Sequence, residues 1–247
     1  MPWDFTLILA VLGVLVPWRG AVRIRQLLDQ PHLTTAERLA VYASTTAVQW
    51  FLVAVVLWRC SARGLSAQQL GVAILDWELT ARIALGLTLL LVANQFLSLR
   101  RLARLPPERQ GLIGQIARKL MPQQRREVLA FLGLVTTVAF CEEFLYRGFA
   151  FAVLATAAES ELVAALASAV LFSLAHLYQG RTGLAATFLV GLVFAGARIW
   201  SGSLAPSSVA HWVADLAAGL AAPRLLRSSP TPAPGMATGA DEPREER

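Results

Sequence analysis

Phe140-Cys141-Glu142-Glu143-Phe144-Leu145-Tyr146-Arg147-Gly148 sets two adjacent carboxylates and an arginine inside an otherwise apolar run. From Phe131 to Ala157 there is no other charge, so in a membrane these three side chains lie at hydrocarbon depth. An unpaired charge there costs several kcal/mol, and ionisable groups kept at that depth are by default a functional signal. On a helix, Glu143 and Arg147 are spaced i,i+4 with the acid on the N-terminal side, the better order for a pair. Glu142 lies about 100° round the same helix. The expectation is that Glu143 and Arg147 form a structural ion pair and that Glu142 is free for chemistry. The alternative is a buried cluster that only fixes helix packing.

Working outward, the 247 residues are 56% hydrophobic and 15% charged, with a mean hydropathy of +0.55. That is too apolar for a soluble domain of this length and implies an all-α, polytopic transmembrane helical bundle. Seven apolar blocks stand at about Trp3 to Trp18, Leu39 to Trp58, Leu79 to Leu99, Val128 to Ala157, Leu162 to Tyr178, Gly183 to Trp200 and Leu204 to Ala222. They predict about seven to eight spans, the first short and the fourth long. The sequence divides into N-terminal spans with a basic segment (1–127), a core holding the polar residues (128–226) and a tail (227–247) rich in Pro, Ser, Gly and charge, expected to be disordered.

The net charge of +6 is scattered between apolar blocks, which excludes a nucleic-acid face and makes the basic residues determinants of topology. Counted over alternate loops, fifteen Arg and Lys residues, Arg19 to Arg25, Arg38, Arg100 to Arg126, Arg181, Arg224 and Arg227 among them, fall on one side. Five, Arg59, Arg63, Arg82, Arg147 and Arg198, fall on the other. The positive-inside rule then puts the N-terminus outside and the C-terminus in the cytoplasm of a cell whose inner membrane the protein crosses. The N-terminal block has Asp4 before it and arginines after it, the reverse of a cleavable signal peptide, so a retained first span is expected. Arg100 to Glu127 carries Leu112, Ile113, Ile116 and Leu120 at helical spacing, as an amphipathic helix lying on anionic lipid would. Arg198 is expected to snorkel to the outer interface, and Thr45, Thr46, Gln49, Asn94 and Gln95 to serve as interhelical hydrogen-bonding groups. Two cysteines give no disulfide framework.

Two further polar sites stand in later blocks. Phe172-Ser173-Leu174-Ala175-His176 ends in a histidine, and His211-Trp212-Val213-Ala214-Asp215 holds a histidine and a carboxylate at i,i+4. Scattered burial of so many polar groups would cost several kcal/mol each, which favours one shared cavity. By depth, Glu142 falls roughly 3 Å to the cytoplasmic side of its block's middle and His176 roughly 9 Å to the same side. His211 falls roughly 3 Å to the outer side. Glu142 is the candidate general base for an activated water, His176 its partner, and His211 the donor to a developing oxyanion.

The three motifs, Glu142-Glu143-x-x-x-Arg147, Phe172-x-x-x-His176 and His211-x-x-x-Asp215, resemble those of the CPBP family of intramembrane endopeptidases. That family includes CAAX prenyl proteases and bacteriocin-processing enzymes, once grouped as Abi proteins. The resemblance spans about Phe140 to Asp215 and implies a peptidase with Glu142, His176, His211 and Asp215 as its catalytic residues. It also implies a peptide or protein substrate reached from the membrane, lipidated, anchored or secreted. The resemblance implies a second oxyanion donor at this position, and Asp215 departs from the Asn often found there; an ionised Asp cannot donate to an oxyanion, so either Asp215 is protonated in its apolar setting or, the favoured reading, it accepts from His211 and keeps that ring oriented and charged. No cofactor is expected, with zinc as the alternative, although there is no His-Glu-x-x-His helix. The competing functions are a non-enzymatic immunity or scaffold protein and a proton-coupled carrier.

Overall fold

A computed structural model describes residues 1–227; the expected tail from Ser228 onward lies outside the described residues. Among the described residues the regular structure is helical throughout. The long helices are α1 Trp3–Asp29, α2 Thr35–Ala62, α3 Trp77–Ala103 and α5 Arg125–Ala158, and the short α4 is Gly111–Leu120. They are followed by α6 Glu161–Ala175, α7 Gly180–Ser201 and α8 Ala205–Arg227. Five helical stretches are long and apolar enough to cross a membrane: α1, α2, α3, α5 and Leu177–Ser201. Of the seven expected spans, the fifth is the 15-residue α6, and the seventh, α8, carries Ser207, Ser208, His211, Asp215 and Arg224.

The first block is not short. Helix α1 runs on to Asp29 because its second half is amphipathic, with Arg19, Arg23 and Arg25 exposed and Leu27 buried against Leu33 and Leu120. A π turn, Val11–Leu15, precedes Pro17, whose missing N–H cannot complete an ordinary helical ladder. At the opposite end Asp4 is buried and accepts from both Arg59 (2.6 Å) and Arg63 (3.0 Å), tying the start of α1 to the end of α2. Glu37 and Thr34 form a capping box that starts α2.

At the end of the bundle where α1 stops, Arg38 pairs with the fully buried Glu127 at 2.8 Å, and the Tyr42 hydroxyl donates to the Leu120 carbonyl at 2.5 Å. Lys119 donates to the carbonyls of Leu28 and Gln30. Helix α4 spends part of its apolar face here: Ala117 packs with Leu99, Ala222 and Leu226, and Leu120 and Ile116 pack with Leu27 and Leu33. Leu112 and Ile113 remain exposed.

The loop between α2 and α3 folds back onto the bundle. Leu70 is buried in the main core cluster, and the Gly71 carbonyl accepts from Leu204 N–H at 2.8 Å. Arg198 is 8% exposed and its Nη2 donates to the Gln69 carbonyl (3.0 Å) and the Gln68 carbonyl (3.3 Å). The expected snorkel to the interface is therefore corrected: the guanidinium is buried, with loop carbonyls accepting from Nη2 and Nε left without a partner. Gly71 sits at φ +69°, and a Cβ there would stand 2.1 Å from Arg198 Nε, so only glycine lets the arginine through.

A candidate intramembrane peptidase site

Helices α5 and α6 form an antiparallel hairpin whose turn residue, Glu159, takes the left-handed conformation at φ 51°. Glu142 and His176 each lie 17 residues from Glu159 along the chain. Two antiparallel helices of equal rise bring such residues level. His176 Nε2 and Glu142 Oε2 are 4.0 Å apart, each side chain 13% exposed. His176 closes the short α6 as its C-cap residue, which accounts for the offset from its block's middle: the apolar block continues into the next turn, but the helix does not.

The ordinary α-helix of α5 gives way after Glu142 to a π segment, Glu143–Ala150, all of whose residues are buried. Wide turns of this kind recur at functional sites because they re-aim side chains at a small backbone cost. Within it Arg147 Nη1 donates to Glu143 Oε1 at 2.9 Å, both side chains fully buried. The guanidinium lies 3.9 Å from the Phe172 ring centre and 5.2 Å from that of Phe194, a cation held by two aromatic faces. Gly191 allows this approach, since a Cβ there would stand 3.3 Å from Arg147 Nη2 and 3.1 Å from Ala169 Cβ.

Glu143 is more than half of an ion pair. His211 Nδ1 lies 3.3 Å from the same Oε1, and His211 Nε2 lies 3.4 Å from Asp215 Oδ2. Asp215 is the open member of the group, with its side chain 43% exposed. Phe172 connects the two imidazoles, 4.7 Å from His176 and 6.2 Å from His211 between ring centres. On the far side of His176, Nδ1 lies 2.9 Å from the Phe172 carbonyl oxygen. A carbonyl only accepts, so Nδ1 carries the proton and a neutral His176 keeps its lone pair on Nε2. Six of the sequence-derived candidates, Glu142, Glu143, Arg147, His176, His211 and Asp215, thus stand in one chain of contacts, drawn from α5, α6 and α8.

The sequence marks Gln49 of α2 as an interhelical hydrogen-bonding group but does not mark its partner: it donates from Nε2 to Glu142 Oε1 at 3.0 Å. The other carboxylate oxygen, Oε2, is buried and accepts no hydrogen bond from the protein. A polar residue in an apolar block was the available signal, but Thr45 and Thr46 give the same one and only the rotation of α2 against α5 separates them. Zinc binding fits the residues poorly: no three His, Cys, Asp or Glu side chains among the described residues gather as a ligand group.

Residues 124–217 match the family model for the Rce1-like type II CAAX prenyl endopeptidases. The matched stretch runs from the start of α5 into α8 and holds every residue of the cluster except Gln49. No curated protein and no solved structure matches the chain.

Proposed function

We propose that the chain, whose residues 124–217 match the Rce1-like type II CAAX prenyl endopeptidase model, is an intramembrane endopeptidase of that kind and hydrolyses a peptide bond beside a lipid or membrane anchor, using a water activated by Glu142 and His176. The observation that carries this reading is the pair of facing acceptors. Glu142 Oε2 is buried without a hydrogen-bond donor and stands 4.0 Å from His176 Nε2. That gap is too long for a direct hydrogen bond and suits one water between the two groups. Such a water donates one proton to each acceptor and leaves its oxygen lone pair free to attack.

As the water oxygen bonds to the scissile carbonyl carbon, Glu142 takes its proton and the carbonyl electrons move onto oxygen. His211 donates to that oxyanion. A ring facing carboxylates through both nitrogens, which can only accept, donates from both and is the imidazolium. Glu143 holds it at Nδ1, and the more exposed Asp215 turns aside from Nε2 as substrate enters. The proton on Glu142 then passes to the amide nitrogen as the oxyanion electrons re-form the carbonyl and the C–N bond breaks, giving a carboxylic acid and an amine; the acid's remaining proton passes to His176 Nε2, leaving a carboxylate. No metal is assigned; the absence of a three-ligand group among the described residues supports that choice.

The multi-pass membrane protein is proposed to lie in the inner membrane with its N-terminus outside. The basic end of the bundle, where Arg38, Arg118 and Lys119 gather, would face the cytoplasm and its anionic lipid. Exposed Leu112 and Ile113 on α4 support contact with that leaflet.

The test uses purified protein in lipid nanodiscs with two probes: a quenched fluorescent peptide bearing a farnesylated cysteine before a three-residue tail, and a reporter anchored by one transmembrane helix. The parent cleaves at least one, and Glu142→Gln and His176→Ala abolish that cleavage while inserting and eluting like the parent. Cleavage of neither probe, or normal cleavage by both variants, would overturn the proposal.

A further inference from the structure

We propose that Gln49 is a positioning residue for the catalytic carboxylate, supplied by a helix outside the stretch that resembles known peptidases. The inference rests on the reading of Glu142 as the base. A carboxylate whose two oxygens are free can rotate about its last bond and present either oxygen to water. Here Gln49 Nε2 donates to Oε1 at 3.0 Å, which fixes the plane and leaves Oε2, the oxygen 4.0 Å from His176 Nε2, as the one that meets the water.

The remaining atom of the amide argues that packing is not its purpose. Gln49 Oε1 is buried and has no hydrogen-bond partner. A residue retained only to dock α2 on α5 would satisfy both ends of its amide or be apolar, because a buried unpaired acceptor is a cost to the fold. The neighbouring contact shows what docking requires: Trp50 Nε1 donates to Thr137 Oγ1 at 3.1 Å, one residue further along α2 and five residues before Glu142 on α5. That bond joins α2 to α5 without touching the acid. Gln49 is therefore placed by α2, through an anchored helix pair, to act on the carboxylate alone.

The variants are Gln49→Met, which keeps the volume and removes the donor, and Gln49→Glu, which sets a second acceptor against the first. Trp50→Phe serves as the docking control and Glu142→Gln as the reference. Rates are measured on nanodisc-embedded protein with the probe that the parent cleaves. Losing a hydrogen bond to a charged group costs roughly ten- to a hundredfold, so Gln49→Met lowers kcat by about that factor with KM unchanged. Gln49→Glu lowers it further, and Trp50→Phe keeps the parent kcat. Parent kcat in Gln49→Met, or equal losses in Gln49→Met and Trp50→Phe, overturns the positioning role while inactive Glu142→Gln leaves the function standing. An active Glu142→Gln overturns the base assignment, and the role of Gln49 with it.

Discussion

Replacing Arg147 with methionine should damage this protein more than any surface change, and the structure supplies the size. The guanidinium and the Glu143 carboxylate are both fully buried and 2.9 Å apart. Removing one member of a buried pair leaves the other charge uncompensated, which costs about 3–5 kcal/mol. Loss of the cation between Phe172 and Phe194 adds about 2 kcal/mol when desolvated, and the methionine returns part of that through its own contact with the rings. At about 2–4 °C per kcal/mol for a domain of this size, Arg147→Met should melt roughly 7–27 °C below the parent. The assay is loss of monodisperse protein in detergent after heating, read by size-exclusion chromatography. Glu143→Leu combined with Arg147→Met removes both charges, and replacing a buried pair with apolar residues is often neutral. The double variant should therefore recover most of the melting temperature. It should not recover cleavage, because Glu143 Oε1 also faces His211 Nδ1 at 3.3 Å. A single variant melting within about 2 °C of the parent, or a double variant no more stable than the single, would refute the reasoning.

Asp215→Asn keeps an oxygen able to accept from His211 Nε2, 3.4 Å away in the parent, so its initial rate should exceed that of Asp215→Ala; equal rates would remove the orienting role. Arg198→Ala frees the Gln68 and Gln69 carbonyls, and limited proteolysis or hydrogen exchange should show faster opening across 64–76 with the transmembrane helices unchanged. Gly191→Val pushes a side chain against Ala169 and Arg147 and should cost about 1–3 kcal/mol by overpacking, seen as a lower melting temperature. Dialysis of the purified protein against a strong chelator should leave its cleavage rate intact, whereas a rate lost to the chelator and restored by zinc would move the water onto a metal.

The helical class and the members of the cluster are legible in the sequence because burying a charge in lipid is costly, so Glu142, Glu143, Arg147, His176, His211 and Asp215 stand out against Leu, Val and Ala. Their grouping is less legible. Hydropathy could not show that α6 stops at Ala175 and that the run continues into a separate turn, since Leu177 and the ring of Tyr178 prolong the apolar block beyond His176. The level pairing of Glu142 and His176 depends on the left-handed turn at Glu159, which no apolar period marks. Arg198 was misread for the same kind of reason: its partners are backbone carbonyls of a loop, and a carbonyl has no sequence signature. Gln49 was visible as a polar residue, but its bond to Glu142 depends on how α2 is turned against α5, a tertiary fact.

The adjacency of the two glutamates has a physical consequence that either alone would lack. Consecutive helical residues point about 100° apart, so a doublet at one depth serves two neighbours at once. Glu143 turns toward α8 and meets Arg147 and His211, while Glu142 turns toward α2 and α6 and meets Gln49 and His176. The first carboxylate is held by two cationic donors at Oε1 and is unbonded at Oε2, and taking a proton would forfeit its charge pairing inside the bundle. The second is held at one oxygen by a neutral amide and is left unbonded at the other, so it can accept a proton without surrendering a fixed contact. The π segment begins at the junction, with Glu142 its preceding residue and Glu143 its first. A change in helical winding at that point separates the two partner sets, and the same two-residue motif can supply both a fixed anion to hold an imidazolium and a proton acceptor for water.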